Sequence, residues 1–234
     1  MKSLENEFLD GIVRAFVLLF TFDAELWNII LVSVRVSTTA IFIAILIGLP
    51  LGSYLGLKNF KGKKFLTNLL NTFMGFPPVV MGLIIFMLLS RSGPLGSLGL
   101  LYSTTAMILA QLLLAIPIII GTTKAAIESG DPNIKETIIS MGSTETQLCW
   151  ELIKDSKRSI IAGILVAFGQ AISEVGAVII VGGNIRWNTR TFTTAIVLNT
   201  RMGEFGMAIA LGVILIGITF ILNYILTHIQ TKRD

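Results

Sequence analysis

Hydrophobic positions along this chain fall in long continuous runs, and polar residues are largely confined to the joints between them. A helix needs about 20 mostly apolar residues to cross a hydrocarbon layer about 30 Å thick. Five runs reach that length, over residues 36–57, 65–89, 101–123, 159–181 and 205–226. A shorter run at 12–22 carries Arg14 and predicts an amphipathic helix lying at the interface. The other reading of that run is the frayed start of the membrane domain.

Helix breakers interrupt this pattern at depth. The second run contains Gly75-Phe76-Pro77-Pro78, which must open the hydrogen-bond ladder. Such a break survives in a membrane only where protein or a polar cavity satisfies the freed carbonyls. Phe76, Pro77 and Pro78 are therefore candidates for a pathway or gate, against the plainer reading that prolines are common in membrane helices. The single prolines Pro50 and Pro117 fit the plainer reading. Small residues recur as Gly48 and Gly52, then Gly163, Gly169, Gly176, Gly182 and Gly183, and predict close helix approach.

Composition agrees with the pattern. Hydrophobic residues make up 53% of the 234 residues and charged residues only 14%, against about 25% charged in a soluble domain. So little charge cannot cover so apolar a chain, which makes it an integral membrane protein. The formal charge of +4 comes without a long basic tract, so nothing points to nucleic acid. One cysteine, Cys149, excludes an internal disulfide, and one histidine, His228, excludes a multi-histidine metal site. No catalytic set and no cofactor-binding motif is visible. The first residues hold too many acids for a signal peptide.

Charge placement orients the runs, because short basic loops stay in the cytoplasm. The turn after the first run holds Lys58, Lys61, Lys63 and Lys64. Alternation places Lys124, Lys135, Lys154, Lys157 and Arg158 on the same side, together with Lys232 and Arg233. Lys2, Arg14, Arg91, Arg186, Arg190 and Arg201 then lie outside, with Arg35 near the outer end of its helix. The expectation is an N-terminus outside and a C-terminus in the cytoplasm. Trp27 and Trp187 read as outer-interface anchors. Arg186, Arg190 and Arg201 form an outer basic group, suited to docking a partner or attracting an anion, or else to ordinary headgroup contact.

The longest polar stretch, 124–158, predicts two short amphipathic helices on the inner face. Asp131 caps the first, with Pro132 in its first turn, and Gly142 stops it. Thr144 caps the second, whose apolar residues are Leu148, Cys149, Leu152 and Ile153. Such a pair could lie on lipid or insert into a cleft of a cytoplasmic partner. The run Glu136-Thr-Ile-Ile-Ser-Met-Gly142 resembles the Glu-Ala-Ala-x3-Gly motif of ATP-binding-cassette (ABC) importer permeases. Thr137 and Ile138 replace the alanines, and the Leu-Pro of the downstream motif is missing after Leu152.

In the fourth run Glu174 lies inside apolar sequence, where a carboxylate faces the bundle interior and is paired or neutral. A packing clamp to Arg35 or Gln170 is the structural reading, with Glu174 behind the pore and not a ligand. Gly169, Ala171, Ser173, Glu174, Gly176 and Ala177 resemble the Ser-Glu-x-Gly-Ala region near the gate of molybdate, tungstate and sulphate permeases. The order Glu25-Leu26-Trp27, Gly48–Gly52, basic turn and Phe76–Pro78 is similar too. The tail Val181-Gly-Gly-Asn-Ile-Arg186, with Thr189-Arg190 and 193–198, is most like the tungstate branch.

The resemblance implies an all-α polytopic membrane protein with the type I ABC importer (MetI-like) permease fold. It would have five transmembrane helices and an N-terminal amphipathic helix. Residues 1–26 would form the external segment, 27–230 one permease domain and 231–234 a cytoplasmic tail. It further implies a prokaryotic plasma (inner) membrane, a second copy of the chain, two ABC ATPase subunits and an external tungstate- or molybdate-binding protein. ATP and Mg2+ would sit on the ATPase, because this chain has no Walker A run. ATPase coupling would fall to Asp131, Glu136, Gly142, Leu152 and Asp155. The pathway or gate would involve Phe76, Pro77, Pro78, Ser173, Glu174 and Gly176. The implied function is tungstate import, with molybdate or broader oxyanion import as the alternative and an ion-coupled secondary carrier as a remoter one.

Overall fold

A computed structural model describes the backbone of residues 4–231 and the side chains of 8–221, 223, 224 and 227. Lys2, Lys232 and Arg233, on which part of the charge-based orientation rests, lie outside the described residues. Among the described residues the regular structure is entirely helical. Eleven α-helices follow in order: α1 (Leu4–Phe20), α2 (Ala24–Leu57), α3 (Lys63–Met74), α4 (Pro78–Leu89), α5 (Thr104–Glu128), α6 (Pro132–Ser140), α7 (Glu145–Asp155), α8 (Lys157–Ser173), α9 (Gly176–Gly182), α10 (Phe192–Arg201) and α11 (Phe205–Thr231). One 3-10 turn, Gly96–Leu98, lies between α4 and α5.

The apolar runs and the helices do not coincide everywhere. α2 and α5 are each long and apolar enough to cross a membrane unaided. α2 begins well before residue 36, because Asp23 accepts from the Leu26 amide at 2.8 Å and starts the helix there. The second and fourth runs are not single helices. α3 and α4 are separated at 75–77 and bent by 95°, and α8 and α9 break at 174–175 with a 53° bend. α1 starts at Leu4, ahead of the run at 12–22.

By its contacts the chain divides into two compact units, and α2, α5 and α8 contribute to both. The first comprises Met1–Thr39, Pro78–Gln111 and Ile172–Asp234. Its core joins Leu26 and Ile29 of α2 to Phe192 and Ala195 of α10, Leu211 and Ile214 of α11, and Ala15 of α1. α1 packs closely on α11, since a Cβ on Gly11 would stand 2.7 Å from Ile209 Cγ2. Polar residues of α2 are buried against protein here. Ser33 Oγ, for instance, accepts from the Phe192 amide at 3.0 Å.

The second unit comprises Ala40–Pro77 and Leu112–Ala171. Ile41 and Ala44 of α2 meet Ile118 and Ile119 of α5 and Ala167 of α8. Gly48, Gly52 and Gly56 recur every fourth residue of α2 and let the two helices touch. A Cβ on Gly48 would stand 2.7 Å from Ile119 Cγ2, and one on Gly52 would stand 2.7 Å from the Ile120 carbonyl oxygen. Small residues at this spacing are the usual route to close packing of membrane helices. Substituting Gly52→Val overpacks this seam and should cost about 1–3 kcal/mol. Thermal unfolding in detergent should show the loss, whereas Gly217→Ala, with open space around its Cβ, should unfold like the parent.

Candidate functional site

The two helix breaks supply most of the special geometry. At the first, Gly75 and Phe76 fold back on the end of α3, and the Phe76 amide donates to the Phe73 carbonyl at 3.2 Å. Pro77 and Pro78 have no amide hydrogen, so the entry to α4 has fewer donors to satisfy. The Phe76 ring packs on Phe73 with centroids 5.6 Å apart.

At the second break Glu174 acts on its own backbone. Its carboxylate accepts from the Ala177 amide at 2.9 Å and caps α9. The carbonyl freed at Glu174 accepts from Thr193 Oγ1 at 2.9 Å. Arg35 is exposed and makes no ion pair among the described residues, so the expected clamp to Arg35 or Gln170 is replaced by this cap. A cap needs only a short reach along the chain, whereas a clamp would need a partner brought to it. Ser173 is exposed, while Glu174 and Gly176 are half-buried.

The helices that follow the two breaks, α4 and α9, meet within the first unit. A Cβ on Gly176 would stand 2.5 Å from Val79 Cγ2, and one on Gly82 would stand 2.6 Å from Ala177 Cα. The starts of α4 and α9 are therefore in backbone-close contact. Sequence reasoning grouped Pro78 with Gly176 but missed Gly82 and Thr193. The Gly82-to-Ala177 fit leaves no mark in the sequence. Thr193 stands inside the Thr191–Thr194 capping box of α10, which was a readable signal.

Arg186, Arg190 and Arg201 separate. Glu25 of α2 accepts from Arg186 Nη2 at 2.6 Å and from Arg190 Nη1 at 2.7 Å. The hydrogen bond it donates to Glu25, helped by the charge of that carboxylate, raises the Arg186 guanidinium above its ordinary value. Arg190 is 17% exposed and Arg186 58%. Arg201 is exposed at the end of α10 and has no partner among the described residues. The expected three-cation group is thus a two-arginine clamp on one carboxylate plus a lone arginine. Arg186 lies 5.4 Å from the centroid of the half-exposed Trp187 ring. Trp27 stacks on Phe22 with centroids 5.7 Å apart.

The polar stretch between α5 and α8 forms the two short helices its caps predict. Asp131 accepts from the Asn133 amide at 2.9 Å to start α6. Gly142 takes φ +78° to end it, a conformation open to glycine at little cost. Thr144 and Gln147 make a reciprocal capping box at the start of α7. Leu152 is buried and Ser156 donates to the Ala126 carbonyl at 3.2 Å, which anchor α7 to its unit. Lys58 pairs with Glu145, and Lys63 with Glu128 at 2.9 Å. Asp131, Glu136 and Asp155 are exposed. No residue of α6 is buried, and Met141 is 80% exposed.

A scan of known families matches residues 48–234 to the binding-protein-dependent transport system inner membrane component. The chain belongs to that family. It is 40% identical over 223 residues to the tungstate uptake system permease protein TupB of Peptoclostridium acidaminophilum, covering 95% of this chain and 98% of the relative. It is 41% identical over 224 residues to the protein of the same name from Campylobacter jejuni, covering 96% and 93%. Identity to the molybdenum transport system permease protein ModB of Escherichia coli is 26%, over 78% of this chain and 84% of the relative. The fold is that of type I ABC importer permeases. It matches the inward-facing MetNI methionine ABC transporter with a TM-score of 0.72 at 16% identity, covering 91% of this chain and 96% of that one.

Two outcomes follow for the site. Glu174→Gln keeps an acceptor oxygen for Ala177 and should unfold close to wild type, whereas Glu174→Leu should lose about 1 kcal/mol, the worth of a helix cap. Equal unfolding of the two variants would show that the cap does not stabilise the break. Glu25→Ala should cost about 1–3 kcal/mol by leaving Arg190 without its charged partner. Arg190→Ala should then be milder and Arg186→Ala mildest, with the Arg186 effect shrinking at high salt. Indistinguishable unfolding midpoints for the three would reject the clamp.

Proposed function

We propose that this chain is the membrane-spanning permease of an ATP-driven importer that carries tungstate delivered by an external binding protein. The observation that carries this reading is identity of 40–41% across nearly the whole chain to two tungstate permeases, against 26% to a molybdenum one. The membrane path consists of five spans, namely α2, the α3–α4 pair, α5, the α8–α9 pair and α11. α1 lies at the outer interface. The N-terminus is outside and the C-terminus in the cytoplasm.

In this reading two copies of the chain assemble with two ABC ATPase subunits, which hold the ATP and Mg2+. α6 and α7 dock on the ATPase. Asp131, Glu136 and Gly142 shape the docking helix, and Leu152 and Asp155 hold its far end. The absence of any buried residue in α6 supports this role, since little of the helix is held by its own chain. ATP-driven closure draws the two docking segments together and opens the pathway toward the binding protein. Hydrolysis resets it inward.

Phe76, Pro77 and Pro78 with Ser173, Glu174 and Gly176 form the gate region, and the broken helices allow it to move. Glu174 stays engaged in its cap and does not ligand the oxyanion, which an ionised carboxylate would repel. Arg186 and Arg190, held by Glu25, present a fixed charged surface to the binding protein, with Arg201 beside them in sequence.

Uptake into proteoliposomes containing the chain, its ATPase and the binding protein tests the proposal, with ATP inside and tungstate, molybdate or sulphate outside. The expected result is ATP-dependent tungstate accumulation well above the other two. Equal molybdate uptake would keep the importer and remove the substrate assignment. Uptake driven by an ion gradient without the ATPase would overturn the class.

A further inference from the structure

The second unit contains two cavities that share walls. One, of about 540 Å³, lies where α6 and α7 meet the end of α2 and is lined by Lys58, Lys135, Ser143 and Glu145 among others. The other, of about 420 Å³, runs between α2 and α7 and is lined by Ile45, Leu46, Leu49, Trp150 and Ile153. Pro50, Thr146 and Cys149 border both. The result is a trench that is apolar at one end and polar and cationic at the other.

The polar end has chemistry to spare. Lys58 is engaged with Glu145, which leaves Lys135 as the local excess positive charge. Lys135 is half-buried and has no hydrogen bond or ion pair among the described residues. The Ser143 hydroxyl is buried and also has no hydrogen-bond partner among them. A buried hydroxyl without a partner is costly unless a ligand meets it, and Lys135 beside it has no anion of its own. The position suits a molecule with one charged end. α2 is apolar up to Leu57 and Lys58 closes it, so the cationic end falls at the polar boundary of a membrane helix. Trp150 is 60% exposed, and tryptophan favours that same boundary.

We propose that this trench binds an anionic phospholipid, with the phosphate of the headgroup at Lys135 and Ser143 and an acyl chain along Ile45, Leu49 and Ile153. A free anion would satisfy the cationic end but leave the apolar walls uncovered, and a neutral lipid would do the reverse. The lipid would underpin α6, which has no buried residue of its own. The inference is independent of the substrate assignment.

Native mass spectrometry of the full-length chain in detergent tests it, with titrations of palmitoyl-oleoyl phosphatidylglycerol, the matching phosphatidylcholine and inorganic phosphate. Phosphatidylglycerol should bind in preference to phosphatidylcholine. Lys135→Ala should weaken it about fivefold, the factor one cation near the headgroup contributes, and Lys135→Arg should restore it. Leu49→Trp, which fills the apolar end, should weaken both lipids, while Lys64→Ala, outside the trench, should change nothing. Equal binding of the two lipids, or equal loss in Lys64→Ala and Lys135→Ala, would overturn the proposal. So would displacement by inorganic phosphate, which would make the site one for a free anion. Loss of bound phosphatidylglycerol on adding the ATPase subunit would assign the trench to that protein instead.

Discussion

A broken helix in an apolar layer must find partners for the backbone groups it frees, because no water is at hand to take them. The local structure around the second break follows from how this chain meets that demand at residues 174–175. The carboxylate of Glu174 takes the Ala177 amide, and Thr193 gives its hydroxyl to the Glu174 carbonyl. One charged side chain and one threonine therefore replace a stretch of lost helix ladder. The break at 75–77 uses the opposite device, removing donors by placing two prolines at the entry to α4. Beside the second break, Gly82 and Gly176 leave room for α4 and α9 to come into close contact.

The segment between α5 and α8 shows a different balance. Its helices are short, and short helices are marginal without tertiary support. Caps at Asp131 and Thr144 start them, Gly142 separates them, and Leu152 with Ser156 ties the second one down. The first remains without buried residues, and Met141 at its end is almost bare.

Much of this was legible along the chain. The membrane class, the helical content, the caps of α6 and α7, the stop at Gly142 and the close approach at Gly48 and Gly52 all follow from residue type and spacing. So do the break at Gly75–Pro78 and the family resemblance carried by 136–142 and 169–177. The break at Glu174 was not legible, because its sequence reads as continuous apolar helix with one acid in it. Neither was the start of α2, where Asp23 and the buried Ser33 extend a helix beyond the purely apolar run. Arg186, Arg190 and Arg201 looked alike in sequence, yet Glu25 selects two of them.

Hydrophobic runs, caps and breakers act within a turn or two of the backbone, and a single chain is enough to read them. They determined that this is a multi-helix membrane permease and placed the short helices α6 and α7. Which acid pairs with which base, which glycine faces which backbone and which carbonyl a distant threonine satisfies depend on residues far apart in sequence. Glu25 with Arg186 and Arg190, Gly82 with Ala177, and Thr193 with Glu174 are of that kind. Only the packed structure decided them, because a contact over such a separation is a property of the fold and leaves no periodic trace along the chain.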